Sequence, residues 1–403
     1  MSWLEWFGAR PTMASFARKL LGELAAHGQQ DWVVNEAGDA LTREGSTINL
    51  HNLYLEYNSV ARAQRRTILQ KYCALAASVE RKPAELWVAA AKHIFPVVRS
   101  RFDRAALETQ MRIEGHSTPA TVSMPLCGDL HVRLVYDWGQ HLAHLEQSQV
   151  VPWARPEAEL FEVARSNLRA LPPPRWNQLR PGLMQLESDA SYEESLVLVD
   201  RVRAALPFAE HAVLLPCNRG ALLAADGREP QALLAMAQTA ARYCEERPWA
   251  MSACALKASG DAFVPASIDG EAGVILADLG KRHLAESYAA QCGVLRQADS
   301  SEDAAFHADF GLMRPGPDQP VRSWCSWADG VHGTLPRTDV VMMTRQREGA
   351  EPELLEVPWA VVERICAGLL RPTEDAPTRY NVSEFPDVAQ WQLLCAEGRR
   401  LGK

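Results

Sequence analysis

His211-Ala-Val-Leu-Leu-Pro-Cys-Asn-Arg-Gly-Ala-Leu-Leu-Ala-Ala-Asp226 is the stretch on which the fold turns. Two apolar runs, His211–Pro216 and Gly220–Ala225, meet at Cys217-Asn-Arg-Gly220. Asparagine and glycine suit a tight turn, so the runs read as a β-hairpin. A helical pattern from Pro230 to Glu246 follows, then strand-like runs at Ser252–Lys257 and Ala262–Ile268. Upstream, an amphipathic helix is expected over about Tyr192–Leu206. Helices and strands are mixed, and hairpins outnumber crossovers. That pattern predicts an α+β fold with mixed, mainly antiparallel sheets and packed helices.

Toward the N-terminus, Thr12 suits a helix N-cap, and Phe16, Leu20 and Leu24 repeat at helical spacing up to Gly28. Strand-like runs at Trp32–Asn35 and Thr47–Leu50 precede helical sequence from about Asn52 to Ser78. A second helix is expected after Pro83, ending near Phe95-Pro96 because the residue before proline leaves helical geometry. Strands at Ala120–Met124 and Leu130–Tyr136 come next, then a helix from Pro156 that Pro172-Pro-Pro174 stops. Toward the C-terminus, Asp269-Gly-Glu-Ala-Gly273 reads as a linker and Val274–Arg296 as a helix. Strand-like runs follow at Ala305–Met313, Val321–Ser326, Asp339–Thr344 and Leu354–Val357. A helix over Pro358–Leu370, an extended run at Arg379–Val382 and a helix over Pro386–Gly398 end the chain. Two or three units are implied: a mainly helical segment with short strands over 1–115, an α+β body over 116–270, and a C-terminal α+β unit over 274–403.

Several of these pieces together resemble the bacterial domain-of-unknown-function family 1444. They are His93-Ile-Phe-Pro-Val-Val-Arg-Ser-Arg101, Leu134-Val-Tyr-Asp-Trp138, the helix Phe161–Leu171, and Val213-Leu-Leu-Pro-Cys217 before Leu222-Leu-Ala-Ala-Asp226. Ser46-Thr-Ile-Asn-Leu50 before a helix also fits, so the resemblance covers roughly residues 46–268. It implies no activity, cofactor or catalytic residue. The C-terminal part lies outside it.

Composition bounds the function. The 403 residues are 47% apolar and 23% charged, which is globular rather than disordered. No apolar run is long enough for a membrane span, and the N-terminus shows no signal-peptide h-region. Nine cysteines are scattered without C-x-x-C spacing, so reduced thiols and a cytoplasmic location are expected. The net charge of −8 disfavours a general nucleic-acid binder. That charge is uneven. Ten basic residues lie between Arg62 and Arg104, opposed only by Glu80, Glu85 and Asp103. Such polarity can steer an anion or acidic partner onto one end of the molecule, or it can be a solvated helix face.

The candidate binding residues are Arg62, Arg65, Arg66, Arg99, Arg101 and Arg104 in this basic end, and Trp324, Trp327 and Asp329 in Ser323-Trp-Cys-Ser-Trp-Ala-Asp-Gly-Val331. Arg99 and Arg101 project from one side if their run is extended, which makes them the best anion-binding pair. Tryptophan and arginine are enriched at interaction hot spots. Yet Trp324 and Trp327 are three apart, so alternation puts them on opposite faces. His116, Cys127, His131, His141 and His144 show no metal-site spacing, and no metal or other cofactor is expected. The nucleophile-elbow, P-loop and dinucleotide motifs are absent, and Cys325 beside His307 or His332 reads better as a core thiol than as a nucleophile. The leading expectation is a bacterial, non-enzymatic adaptor engaged in protein–protein interaction. The alternative is an enzyme or binding protein for an anionic, phosphorylated small molecule that uses the Arg99/Arg101 region.

Overall fold

The computed structural model describes residues 11–35, 38, 40–43, 46–78, 82–115, 120–139, 142–260, 262–298, 305–316, 319–346 and 351–401. The fold is α+β with mainly antiparallel sheets. Strands Ala212–Asn218 and Ala221–Asp226 form the expected hairpin, with Leu214 opposite Ala224. Gly220 takes the turn at φ +73°, a left-handed conformation that glycine adopts without a Cβ clash. The hairpin lies inside a six-stranded antiparallel sheet. Leu256–Ser259 and then Ala262–Pro265 extend one side; Leu183–Glu187 and then Arg175–Arg180 extend the other.

Every residue of both hairpin strands is buried, which explains the continuous apolar runs. Alternation sends Leu214, Leu222 and Ala224 to one face and Val213, Leu215, Leu223 and Ala225 to the other. On the second face lie the helix Pro230–Glu246, through Ala232, Met236 and Ala240, and the first half of the long helix Gly270–Ala298. On the first face lies another sheet, in which Leu130–Asp137 pairs with Ile94–Ser100 along one edge. Ser123–Cys127 and Leu142–His144 pair along its other edge. Val97, Val98, Leu130 and Val135 join the two sheets, and the helix Glu157–Ala170 covers the outer side through Leu160, Phe161 and Ala164.

One carboxylate ties these layers together. Glu194 accepts from the Arg99 guanidinium at 2.5 Å and from the Gly220 backbone N–H at 2.8 Å. The neighbouring Ser195 hydroxyl accepts from Val98 N–H at 3.0 Å. Both charged side chains are buried. The edge strand, the turn after Tyr192 and the central hairpin therefore meet at a single polar junction.

The N-terminal helices Met13–Ala26, Leu50–Ser59 and Arg65–Ser78 pack around Phe16, Leu20, Leu41 and Tyr57, and three short strands pair beside them. Thr12 caps the first helix as expected. At the C-terminal end, Arg322–Ala328 and Val340–Arg345 pair in parallel within a five-stranded sheet. Beside it is a four-stranded sheet that contains Gly333–Pro336 and Arg379–Val382. The second half of the long helix reaches this region. Gln291 accepts from the buried Arg379 guanidinium at 2.6 Å.

Several expectations need correction. Phe95-Pro96 ends no helix; it lies inside the strand Ile94–Ser100. This is an edge strand whose Val98 N–H points away from the ladder to Ser195; Pro96, two residues earlier, turns its N–H-less nitrogen to the same outward side and breaks no ladder bond. The helix expected over Tyr192–Leu206 is a 3₁₀ turn, Ser195–Leu198, and one short helix, Asp200–Ala204. Gly270–Gly273, read as part of a linker, is the first turn of the long helix. Ala40–Arg43, Arg175–Arg180 and Gly333–Pro336 are strands that the pattern did not reveal.

Removing Glu194 strands a buried guanidinium and a backbone donor. Glu194→Ala is expected to lower the unfolding free energy by about 3–5 kcal/mol. The double replacement Arg99→Met/Glu194→Leu should cost clearly less than that single change, because it removes both buried charges. Urea denaturation of the three chains measures the difference. Equal losses in the single and double variants would contradict the junction.

Candidate functional site: a basic groove on the N-terminal helices

The structure divides the predicted arginines into two groups. Arg62 lies in a 3₁₀ turn, and Arg65 and Arg66 open the helix Arg65–Ser78. Against them packs the helix Met13–Ala26, which brings Arg18 and Lys19 to the same place. These five cations line a groove of about 550 Å³ with Tyr57, Leu69 and one carboxylate, Glu23. Sequence reasoning missed Arg18 and Lys19. Their adjacency at the middle of a helix was the available signal, but only the packing of two helices puts them beside Arg62.

The electrostatics of the groove favour an anion. Tyr57 is buried, and its ring faces Arg65 at 5.3 Å and Lys19 at 5.9 Å. The first turn of the Arg65–Ser78 helix contains no acidic residue. A helix N-terminus carries partial positive charge, so arginines there add repulsion that a bound anion would relieve. Arg65 Nε is buried with no partner among the described residues. Arg62 and Arg66 are exposed. Lys71, from the same basic run, is instead paired with Glu56 at 2.8 Å. Arg81 lies outside the described residues.

Arg99, Arg101 and Arg104 are not part of this groove. Arg99 is buried on Glu194 and unavailable as half of an anion-binding pair. Arg101 sits just past the strand, exposed, with its guanidinium 5.5 Å from the Phe102 ring. Arg104 precedes the helix Ala105–Ile113. Nearby, Arg133 is paired with Asp103, and Arg219 lies 3.6 Å from the same carboxyl group. Arg219 also sits 4.4 Å over the Trp249 ring. His144, next to this cluster, has a buried Nδ1 without a partner among the described residues. Its pKa is held well below the ordinary histidine value by burial first and then by Arg133 and Arg99.

Trp324 and Trp327 do face opposite ways. Trp327 is buried, edge-on to Phe385 at 5.7 Å, while half-buried Trp324 lies over Gly311. A Cβ at Gly311 would come 2.3 Å from that indole, so glycine is what allows this close approach. Asp329 is exposed in the Asp329-Gly330 turn and donates its backbone N–H to Thr344 at 2.9 Å. These three residues form no common surface patch. Cys325 is fully buried, and burial pushes its thiol up to about 12, so it is no nucleophile. His307 and His332 are engaged elsewhere, with Thr334 and the Ser383 carbonyl. His116 and His141 lie outside the described residues. Among the described residues no three His, Cys, Asp or Glu side chains converge as a metal site would require.

Comparison of the chain with family models, curated proteins and solved structures finds no match.

His144, through its burial first of all and then through Arg133 and Arg99, makes stability depend on pH. Its folded pKa lies below the unfolded value of 6.5, so the unfolded chain binds the proton first as pH falls. The contribution is therefore full above pH 6.5 and is lost as pH drops below it. His144→Gln is expected to flatten the fall in stability on acidification below that point, read from denaturant midpoints across a pH series. An unchanged slope would contradict the assignment.

Proposed function

We propose that this chain is a non-enzymatic binding protein that takes a phosphorylated ligand in the groove between Met13–Ala26 and Arg65–Ser78. The observation that carries the reading is five cationic side chains around one concavity with a single opposing carboxylate. Arginine forks match phosphate oxygens, and charge-assisted bonds are the stronger kind. The lining includes no serine, cysteine or histidine, which favours capture over chemistry. The acidic remainder of the chain keeps such binding local to this end. Nine free cysteines support a reducing, cytoplasmic setting. No helix among the described residues is long and apolar enough to cross a membrane.

An adaptor role draws support from a different surface. Leu86, Val88 and Val151 are 76%, 88% and 72% exposed. They flank the Trp87–Trp153 ring contact, whose centroids are 5.7 Å apart. Exposed apolar side chains grouped in this way suit contact with a protein partner.

Inorganic tripolyphosphate is the direct probe of the groove. Calorimetry at low salt is expected to show saturable binding that weakens as ionic strength rises. Arg62→Ala/Arg66→Ala should weaken it by about tenfold or more, which corresponds to about 1.4 kcal/mol. Arg101→Ala/Arg104→Ala should leave it unchanged. No saturable binding, or equal weakening by both pairs, would overturn the reading.

A further inference from the structure

A second concavity has no lysine or arginine in its lining. It is lined by the first half of the long helix, by residues 253–255 and 265–268 and by Phe102 and Asp129, and has a volume of about 400 Å³. Small residues create it. Gly273, Ala277 and Gly280 follow one another along the helix face at helical spacing, and Ala253, Ala255 and Ala266 lie opposite. A Cβ at Gly280 would reach ordinary van der Waals contact with Ala253, 3.7 Å away, so alanine would fit there without a clash. Much of the remaining wall is apolar, including Leu276, Leu284, Ile268 and Pro265.

Polar groups are few and placed at particular points. His283 lines the cavity one helical turn beyond Gly280. Both of its ring nitrogens are buried, and neither has a partner among the described residues. Burial holds the imidazole neutral, with a pKa lowered to about 4. A neutral imidazole offers one N–H donor and one acceptor, and leaving both buried and unmade is costly. Asp129 is already engaged, since the Ser252 hydroxyl donates to it at 2.6 Å. No lysine or arginine lines the space, so an anion would find no counter-charge.

We propose that this cavity binds an uncharged, largely apolar small molecule whose single hydrogen-bonding group meets the His283 imidazole. An apolar pocket of this size with one convergent polar group is the usual form of a small-ligand site. It shares no residue with the basic groove, so either site can hold without the other.

N-phenyl-1-naphthylamine is a suitable probe: it is uncharged, has two aromatic parts and one N–H, and brightens on leaving water. Titration of the full chain is expected to give a saturable, single-site rise in fluorescence. Gly280→Leu should weaken that binding by about tenfold or more by filling the space with apolar atoms. Ala277→Leu, at an exposed position on the cavity rim, should act in the same direction and serves if Gly280→Leu does not fold. His283→Phe keeps the ring but removes both polar atoms, and should weaken binding by about fivefold. Arg62→Ala/Arg66→Ala should leave the probe affinity unchanged. No saturable rise, or unaltered affinity in the folded filling variants, would overturn the proposal. So would affinity that His283→Phe leaves unchanged or improves.

Discussion

The carboxylate of Glu194 is the point on which the arrangement of layers depends. It is buried, so its charge must be met inside the protein, and the structure meets it from two directions. Arg99 comes from the edge strand of one sheet, and the Gly220 N–H comes from the turn of the central hairpin in the other. Shifting either sheet by one residue would leave a charge or a backbone donor unpaired between them. Hydrophobic burial on both faces of the hairpin supplies the driving force for packing. The polar junction contributes something different. A buried ion pair adds little net stability against an apolar replacement, yet it penalises every packing that separates its members.

This requirement also sorts the arginines. Arg99, Arg133 and Arg379 are buried and bonded to acids, carbonyls or amides. They hold sheets, loops and the long helix in register. Arg62 and Arg66 remain in solvent beside a groove that concentrates positive charge. A net charge taken over the chain hides this division. Even the local excess between Arg62 and Arg104 merges two populations, one buried and bonded and one open to solvent.

How much of this was legible in the sequence depended on distance along the chain. The hairpin was readable because its turn and both strands are contiguous. The helix Pro230–Glu246 and the strand Arg379–Val382 have the expected bounds. Pro96 misled because only the sheet order shows that its strand is an edge. The partner of Arg99 is 95 residues away, so nothing local marked that arginine as structural. The groove was half legible: Arg62, Arg65 and Arg66 stand out as a run, whereas Arg18 and Lys19 join them only through helix packing. The cavity at His283 was not legible at all. Its shape comes from glycines and alanines on elements that face each other, and small residues leave no mark in a hydrophobic pattern.

The division of the arginines can be watched directly through their side-chain Nε–H signals by nuclear magnetic resonance during a titration with tripolyphosphate. Arg65 is the most informative, since its Nε is buried and without a partner among the described residues. An anion-binding groove on the N-terminal helices predicts progressive shifts for Arg62, Arg65 and Arg66, with Arg99 and Arg133 unmoved throughout. Shifts at Arg99 or Arg133 with the groove arginines silent would contradict it.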